Sequence, residues 1–293
     1  MADLVALLWA PFLMCLVLTG IHAYLGLHVL AREVVFVDIA LAQVAALGGT
    51  LGVLAGHDLG SPVSYLLGLT AALLGALVLA LTRSRRRRVS QEAVIGVVYV
   101  VAAAAAVLLA SRAPHGADHL RGMLVGSLIT VRAPEVAGIA LLYLGVGALH
   151  WLCRRPFFLI SRDPEAAFVR GWHVRWWDFL FYASFGVVVT SSVRIAGVLL
   201  VFAYLIVPAL VGLAFARDTA GQLAIGWAFG AVASLVGIAA SAALDLPTGA
   251  AVVCTFGVAL VVTWPLAGRA GRGSRPSPDA RRPGPADLGR SAR

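Results

Sequence analysis

The sequence predicts an all-α polytopic membrane bundle of about nine helices. Three observations predict it. Hydrophobic residues make up 60% of the 293 residues and charged residues 13%, about half the charged share of a soluble domain. The apolar residues fall in runs close to the ~20 that cross a bilayer. The basic residues, all 23 of them arginine, collect in the gaps between those runs. A net charge of +9 would suit a nucleic-acid partner. Arginines placed between apolar runs are instead a topology pattern, so no nucleic-acid partner is expected.

The runs lie near 4–30, 34–56, 61–82, 92–111, 133–153, 177–192, 194–216, 222–244 and 248–267. The first lacks a basic leader and a small-residue cleavage site, so it reads as a retained helix. The stretch 117–132 is semi-apolar and too short to span; it suits a re-entrant or interfacial helix covered by other protein. Ser191 and Ser192, just before Arg194, are expected to end a helix. Pro208 is expected to kink the seventh span. Asp245, with Pro247 and Gly249 after it, marks a turn. Cys15, Cys153 and Cys254 are an odd, scattered set and read as small buried hydrophobes. Residues 1–267 thus form one transmembrane domain. The remainder, 268–293, is a basic Gly/Pro/Ser/Arg tail with too little apolar content to bury a core, and is expected to be disordered.

The arginines orient the bundle. With the N-terminus outside, 19 fall on the cytoplasmic side, including Arg32, Arg83, Arg85 to Arg88, Arg154, Arg155, Arg162 and Arg217. Only Arg112, Arg121, Arg132 and Arg194 fall outside. That asymmetry places the C-terminus in the cytoplasm of a multi-pass plasma-membrane protein.

The polar segment SRDPEAAFVRGWHVRW, 161–176, interrupts this apolar chain on its cytoplasmic side. Asp163 before Pro164 reads as an N-cap and first helical residue. Glu165 sits where the helix dipole favours an acid. Gly171 is placed to end the helix in the left-handed conformation. The implied helix, roughly 164–170, is too short to stand alone in water and must pack on something. Phe168 is its one large apolar side chain. The segment is either an interfacial connector or a docking element for a soluble partner.

An ionisable residue within a span is costly and is a functional candidate. Asp38 is the clearest, with Ala42 one turn on and Gln43 beside it. Asp38 serves either a helix–helix hydrogen bond or an ion path; Gln43 is either polar glue between helices or a ligand. His57 with Asp58, and His115 with Asp118 and His119, lie on the outer side. His115 and His119, four residues apart, either share a helix face and hold a metal or belong to a solvated loop. His22, His28, His150 and His173 receive no role.

Several stretches together resemble the ABC-3 family of metal-importing permeases. EAA-x-x-x-G, Glu165-Ala166-Ala167 to Gly171, resembles the coupling motif of ATP-binding-cassette importers. GVLLVFAYLIVPAL (197–210), EAVIGVVYV (92–100), LRGMLVGSLITVRAPEV (120–136), DLPTG (245–249) and VDIALAQVAALG (37–48) are similar to family helices and turns, in order, across about 5–267. The resemblance implies a type II importer permease: a homodimer, each subunit docked on a cytosolic ATPase that consumes ATP, fed by an extracytoplasmic metal-binding protein, and carrying divalent zinc, manganese or iron. It assigns Asp163, Glu165, Ala166, Ala167, Phe168 and Gly171 to ATPase coupling. It places Asp38 in the metal path, with Gln43 where the family has histidine. Oxygen plus amide is a harder, weaker site than the oxygen plus imidazole that suits zinc; it fits manganese or ferrous iron at least as well, or a substrate that is not a bare ion.

Two other classes fit less well. A secondary transporter of a small cation or chelate usually shows matching halves and several buried charges. A membrane enzyme would need clustered histidines or carboxylates within the spans. With no lysine at all, the chain cannot hold a phosphate-binding Gly-Lys loop, so ATP chemistry would reside on a separate chain.

Overall fold

The computed structural model describes residues 2–58, 60–83, 90–112, 122, 126 and 128–272. His115, Asp118, His119, Arg85 to Arg88 and most of 117–132 lie outside these residues, as does the tail from 273. Long helices are α1 (Ala2–Ala31), α2 (Val37–Leu54), α3 (Pro62–Leu81), α4 (Gln91–Ala110) and α5 (Ala133–Leu152). Two short ones follow, α6 (Arg154–Arg162) and α7 (Pro164–Val169). Then come α8 (Val174–Ala196), α9 (Val198–Phe215), α10 (Thr219–Leu244) and α11 (Thr248–Arg272). Among the described residues, nine helices are long and apolar enough to cross a bilayer.

Local chemistry sets the ends. Ser61 and Ser90 cap α3 and α4 by accepting from the Ser64 and Ala93 amides, each at 3.2 Å. Glu135 reaches back to the Arg132 amide at 2.9 Å to open α5, and Asp218 caps α10 through Gly221 N–H at 2.9 Å. These contacts satisfy amides that helix geometry orphans. Asp245 closes α10 in the left-handed region, φ 51°, which bears out the expected turn. Helix α11 runs to Arg272, five residues beyond the expected end of the membrane domain.

One expectation changes between α8 and α9. Ser191 and Ser192 do not end a helix. Their hydroxyls donate back to the Val187 and Val188 carbonyls at 2.6–2.9 Å, and α8 continues through them. The break comes at Gly197, whose φ of 78° favours glycine; one residue separates the two helices. Pro208 lies inside α9, which is one continuous helix.

The helices pack as two groups. One joins α2, α3, α4 and α8; the other joins α1, α9, α10 and α11. Helix α5 lies against α1. Small residues allow close crossings, as in membrane bundles generally. A Cβ on Gly48 of α2 would stand 2.9 Å from the Gly68 Cα of α3, too near for a methyl group. The core is filled by Phe181, Tyr182 and Phe185 of α8, and by Tyr204 and Phe256, which pack edge to face within the second group; all are essentially inaccessible.

Candidate ion path and docking segment

Asp38 enters α2 in its first turn, because the α1–α2 connection folds tightly at Glu33, φ 57°. It is 1% exposed, and neither carboxylate oxygen has a hydrogen-bond partner. A buried charge without partner or hydrogen bond costs several kcal/mol or more. Counting along α2, Ala42, Ala45 and Gly49 follow at spacings of four, three and four, so they share the Asp38 face. Ala42, Ala45 and Gly49 line a cavity of about 90 Å³ between α2, α3 and α8. That is room for about three waters. Tyr65, Thr190 and Arg194 complete its wall, and the Thr190 hydroxyl is buried without a partner. Arg194 stacks on the Tyr65 ring at 5.5 Å.

The expected pairing of Asp38 with Gln43 does not form within the chain. Five residues along a helix is a rotation of about 140°, so half-buried Gln43 faces elsewhere. The position that shares the Asp38 face is Ala42. Among the described residues, no three His, Cys, Asp or Glu side chains gather closely enough to hold a metal ion.

A second feature escaped the sequence. Asp178, at the start of α8, is fully buried against two arginines. Arg32 Nη1 lies 2.6 Å from its Oδ1 and Arg83 Nε 3.5 Å from its Oδ2. Arg32 and Arg83 were expected as loop charges, yet they are 6% and 8% exposed. The Arg32 guanidinium also sits 3.9 Å over the Phe181 ring. The available signal was Asp178 itself, an acid just inside an apolar run.

The three unassigned membrane histidines are buried and bonded. His22 pairs with Ser192 at 3.1 Å, His150 with Ser184 at 2.8 Å, and His28 with Ser161 at 2.8 Å. Tyr143 meets Ser192 at 2.5 Å. These contacts stitch α1 and α5 to α8 and α6.

The polar segment folds as its sequence foretold. Asp163 accepts from the Ala166 amide at 2.9 Å. Gly171 sits at φ 74°, and its N–H donates to Phe168 while Trp172 N–H donates to Ala167, the paired bonds of a glycine-terminated helix. Ala167 is buried in a small cluster with Ile160 and Val174, and Phe168 packs half-buried on its edge. Glu165 is exposed, Ala166 half-buried, and Val169, 72% exposed, is the apolar side chain that α7 presents most openly.

Helix α6, which the sequence reading left without structure, anchors this unit. The Ser161 hydroxyl accepts from Arg32 Nε at 2.8 Å, and Arg162 donates to the Thr219 hydroxyl at 2.9 Å. The short pair α6–α7 is therefore tied to α1 and α10 at the end of the bundle that carries Arg32, Arg83 and Arg217.

A polytopic bundle with a buried carboxylate that has no hydrogen-bond partner, one turn from a small-residue cavity, and a capped helical pair fixed to one end, defines a membrane transport domain. The chain belongs to the ABC 3 transport family, whose profile matches residues 5–266. It is 24% identical to the manganese transport system membrane protein MntC of Listeria monocytogenes, over 72% of this chain and 78% of that one. It is 26% identical to the chelated iron transport system membrane protein YfeD of Yersinia pestis, over 60% and 59%. Its fold matches PsaBC from Streptococcus pneumoniae, solved with a Fab, with a TM-score of 0.73 at 18% identity, covering 90% of this chain and 95% of that one.

Proposed function

We propose that the chain is the permease subunit of an ATP-driven importer for a divalent transition-metal ion, manganese or ferrous iron in first place. The observation that carries this is Asp38: a buried carboxylate with no hydrogen-bond partner, one helical turn before Ala42, the first residue of α2 that lines a small cavity, in a chain of this transport family. A bundle tolerates such a group when a cation visits it. The cargo is a substrate of the path. Carboxylate oxygen suits manganese and ferrous iron, and neither Ala42 nor Gln43 offers the imidazole that zinc would favour. The names of the manganese and iron relatives point the same way. Gln43 serves as a ligand only from a face other than that of Asp38, and so at a different stage of passage or across a dimer.

In this reading the arginine-bearing end is cytoplasmic, the N-terminus is outside, and two copies form the permease. A separate cytosolic ATPase docks on α6–α7, and an extracytoplasmic metal-binding protein delivers cargo at the opposite end. Asp163 and Gly171 shape the docking helix, and Glu165 and Ala166 form its outer face. Ala167 fixes it from below, and Phe168 with Val169 supplies its apolar knob.

Two experiments test this. Asp38→Asn is expected to abolish ATP-driven uptake of radioactive manganese or iron into vesicles while the bundle stays folded; unchanged uptake removes Asp38 from the path. Deleting 163–171, or Val169→Asp as the milder variant, is expected to abolish co-purification with the ATPase. Retained co-purification with coupled uptake refutes the docking assignment.

A further inference from the structure

One large cavity lies apart from the Asp38 path and from α7, and meets α6 only through Arg154, Phe158 and Arg162. It is a groove of about 950 Å³, floored by α1 and walled by α5 and α10. Gly20, Leu144, Gly147 and Leu223 give it an apolar surface. Along α5 it runs from Ala140 to Trp151, about 16 Å at the helical rise. That is about half the ~30 Å hydrocarbon thickness, the depth of one leaflet.

At the arginine-bearing end the groove meets a second cavity of about 310 Å³, with which it shares Phe158, Arg162 and Thr219. This second space is polar: Ser161, Arg162, Arg217 and Gln222 line it. No Asp or Glu lines either cavity. The neighbouring acid in sequence, Asp218, is turned onto the Gly221 amide as a helix cap. Arg162 and Arg154 are engaged by neutral acceptors, the Thr219 hydroxyl and the Trp151 carbonyl, so their charge is not offset there. His28 also lines the polar cavity, and its Nε2 is buried without a partner. Ser161 accepts from Arg32 and can donate its own O–H to His28 Nδ1. Nε2 then carries the ring N–H, a donor lacking an acceptor.

We propose that this continuous space binds one anionic phospholipid. The phosphate sits among Arg154, Arg162 and His28, and the acyl chains lie along α1 between α5 and α10. Charge complementarity selects the headgroup, and the one-leaflet length selects a lipid over a soluble anion. The bound lipid would brace α6, and with it the helical pair next in sequence, against α1 and α10. The inference does not depend on which metal is carried.

The test is native mass spectrometry of the purified full chain, titrated with phosphatidylglycerol and with phosphatidylcholine of the same acyl chains. Phosphatidylglycerol is expected to bind more tightly. Each arginine near a headgroup contributes about five-fold in affinity, so Arg154→Ala with Arg162→Ala should weaken that binding about thirty-fold. Gly147→Trp, which fills the groove and leaves both arginines, should also remove it; no atom stands within 4 Å of a Cβ there, so the fold has room for the change. Equal binding of the two lipids, or undiminished phosphatidylglycerol binding in both variants, overturns the proposal. So does an efficient disulfide between two copies through Leu144→Cys in a background without the native cysteines, because a second subunit would then occupy the groove.

Discussion

Replacing Asp178 with alanine should be the most damaging single change at the arginine-bearing end. Its carboxylate lies 2.6 Å from Arg32 and 3.5 Å from Arg83, and the Arg32 and Asp178 side chains are wholly excluded from solvent. An exposed ion pair contributes at most about 1 kcal/mol. Removing one member of a buried set costs about 3–5 kcal/mol, because the remaining charge stays buried without compensation. Here two guanidinium groups would be stranded, so the upper part of that range is expected. Unfolding in detergent micelles by added SDS, followed through the fluorescence of the seven tryptophans, measures the loss. Asp178→Leu combined with Arg32→Leu should lose clearly less than the sum of the single changes, with a coupling of about 2 kcal/mol or more. A loss below about 1 kcal/mol for Asp178→Ala, or strict additivity in the double variant, would refute this account of the site.

Three further outcomes are expected. Asp163→Ala removes the α7 cap and should cost about 1 kcal/mol locally, seen as faster hydrogen exchange at the Ala166 amide with little change in global unfolding. Gly171→Ala meets no neighbour within 4 Å of the added carbon, so only the left-handed backbone resists it. The loss should be about 1–2 kcal/mol, confined to the same segment. Ser161→Ala leaves Arg32 Nε without its acceptor and His28 Nδ1 without its donor, and should cost about 1–3 kcal/mol. Protease cleavage within 154–173 should accelerate, because the tie between α6 and α1 is cut.

Much of this protein is legible in its sequence, and the exceptions have a common cause. The helices of the bundle follow from apolar runs, because a bilayer demands long, self-satisfied segments. Asp163 and Gly171 were equally legible, since caps act through bonds only a few residues apart. Arg32, Arg83 and Asp178 were not. Counting arginines treats each as a loop charge, and only the packing of α1, α3 and α8 turns three distant residues into a buried ion set. Ser191 and Ser192 misled for a related reason: a serine that ends a helix in water can, inside a bundle, return its hydroxyl to the preceding turn. Asp38 was found because it is alone in its span. That Gln43 turns away from it follows from helical rotation, which position counting against a family pattern ignores. Helix α6 was missed because its amphipathic face is half arginine, and its apolar side is defined only by the core beneath it.

The single residue between α8 and α9 also constrains how the chain is made. Gly197 leaves no loop to wait in water while the next span is synthesised. Val198 follows it directly, and Arg194 stands three residues before it. A ribosome-bound chain therefore cannot install α8 and complete it before α9 emerges. The two must leave the insertion machinery as one hairpin, with Arg194 held at its tip between two apolar spans. A bulky residue at 197 would then be felt first in biogenesis, as poor membrane yield, before any defect in the finished transporter could be measured.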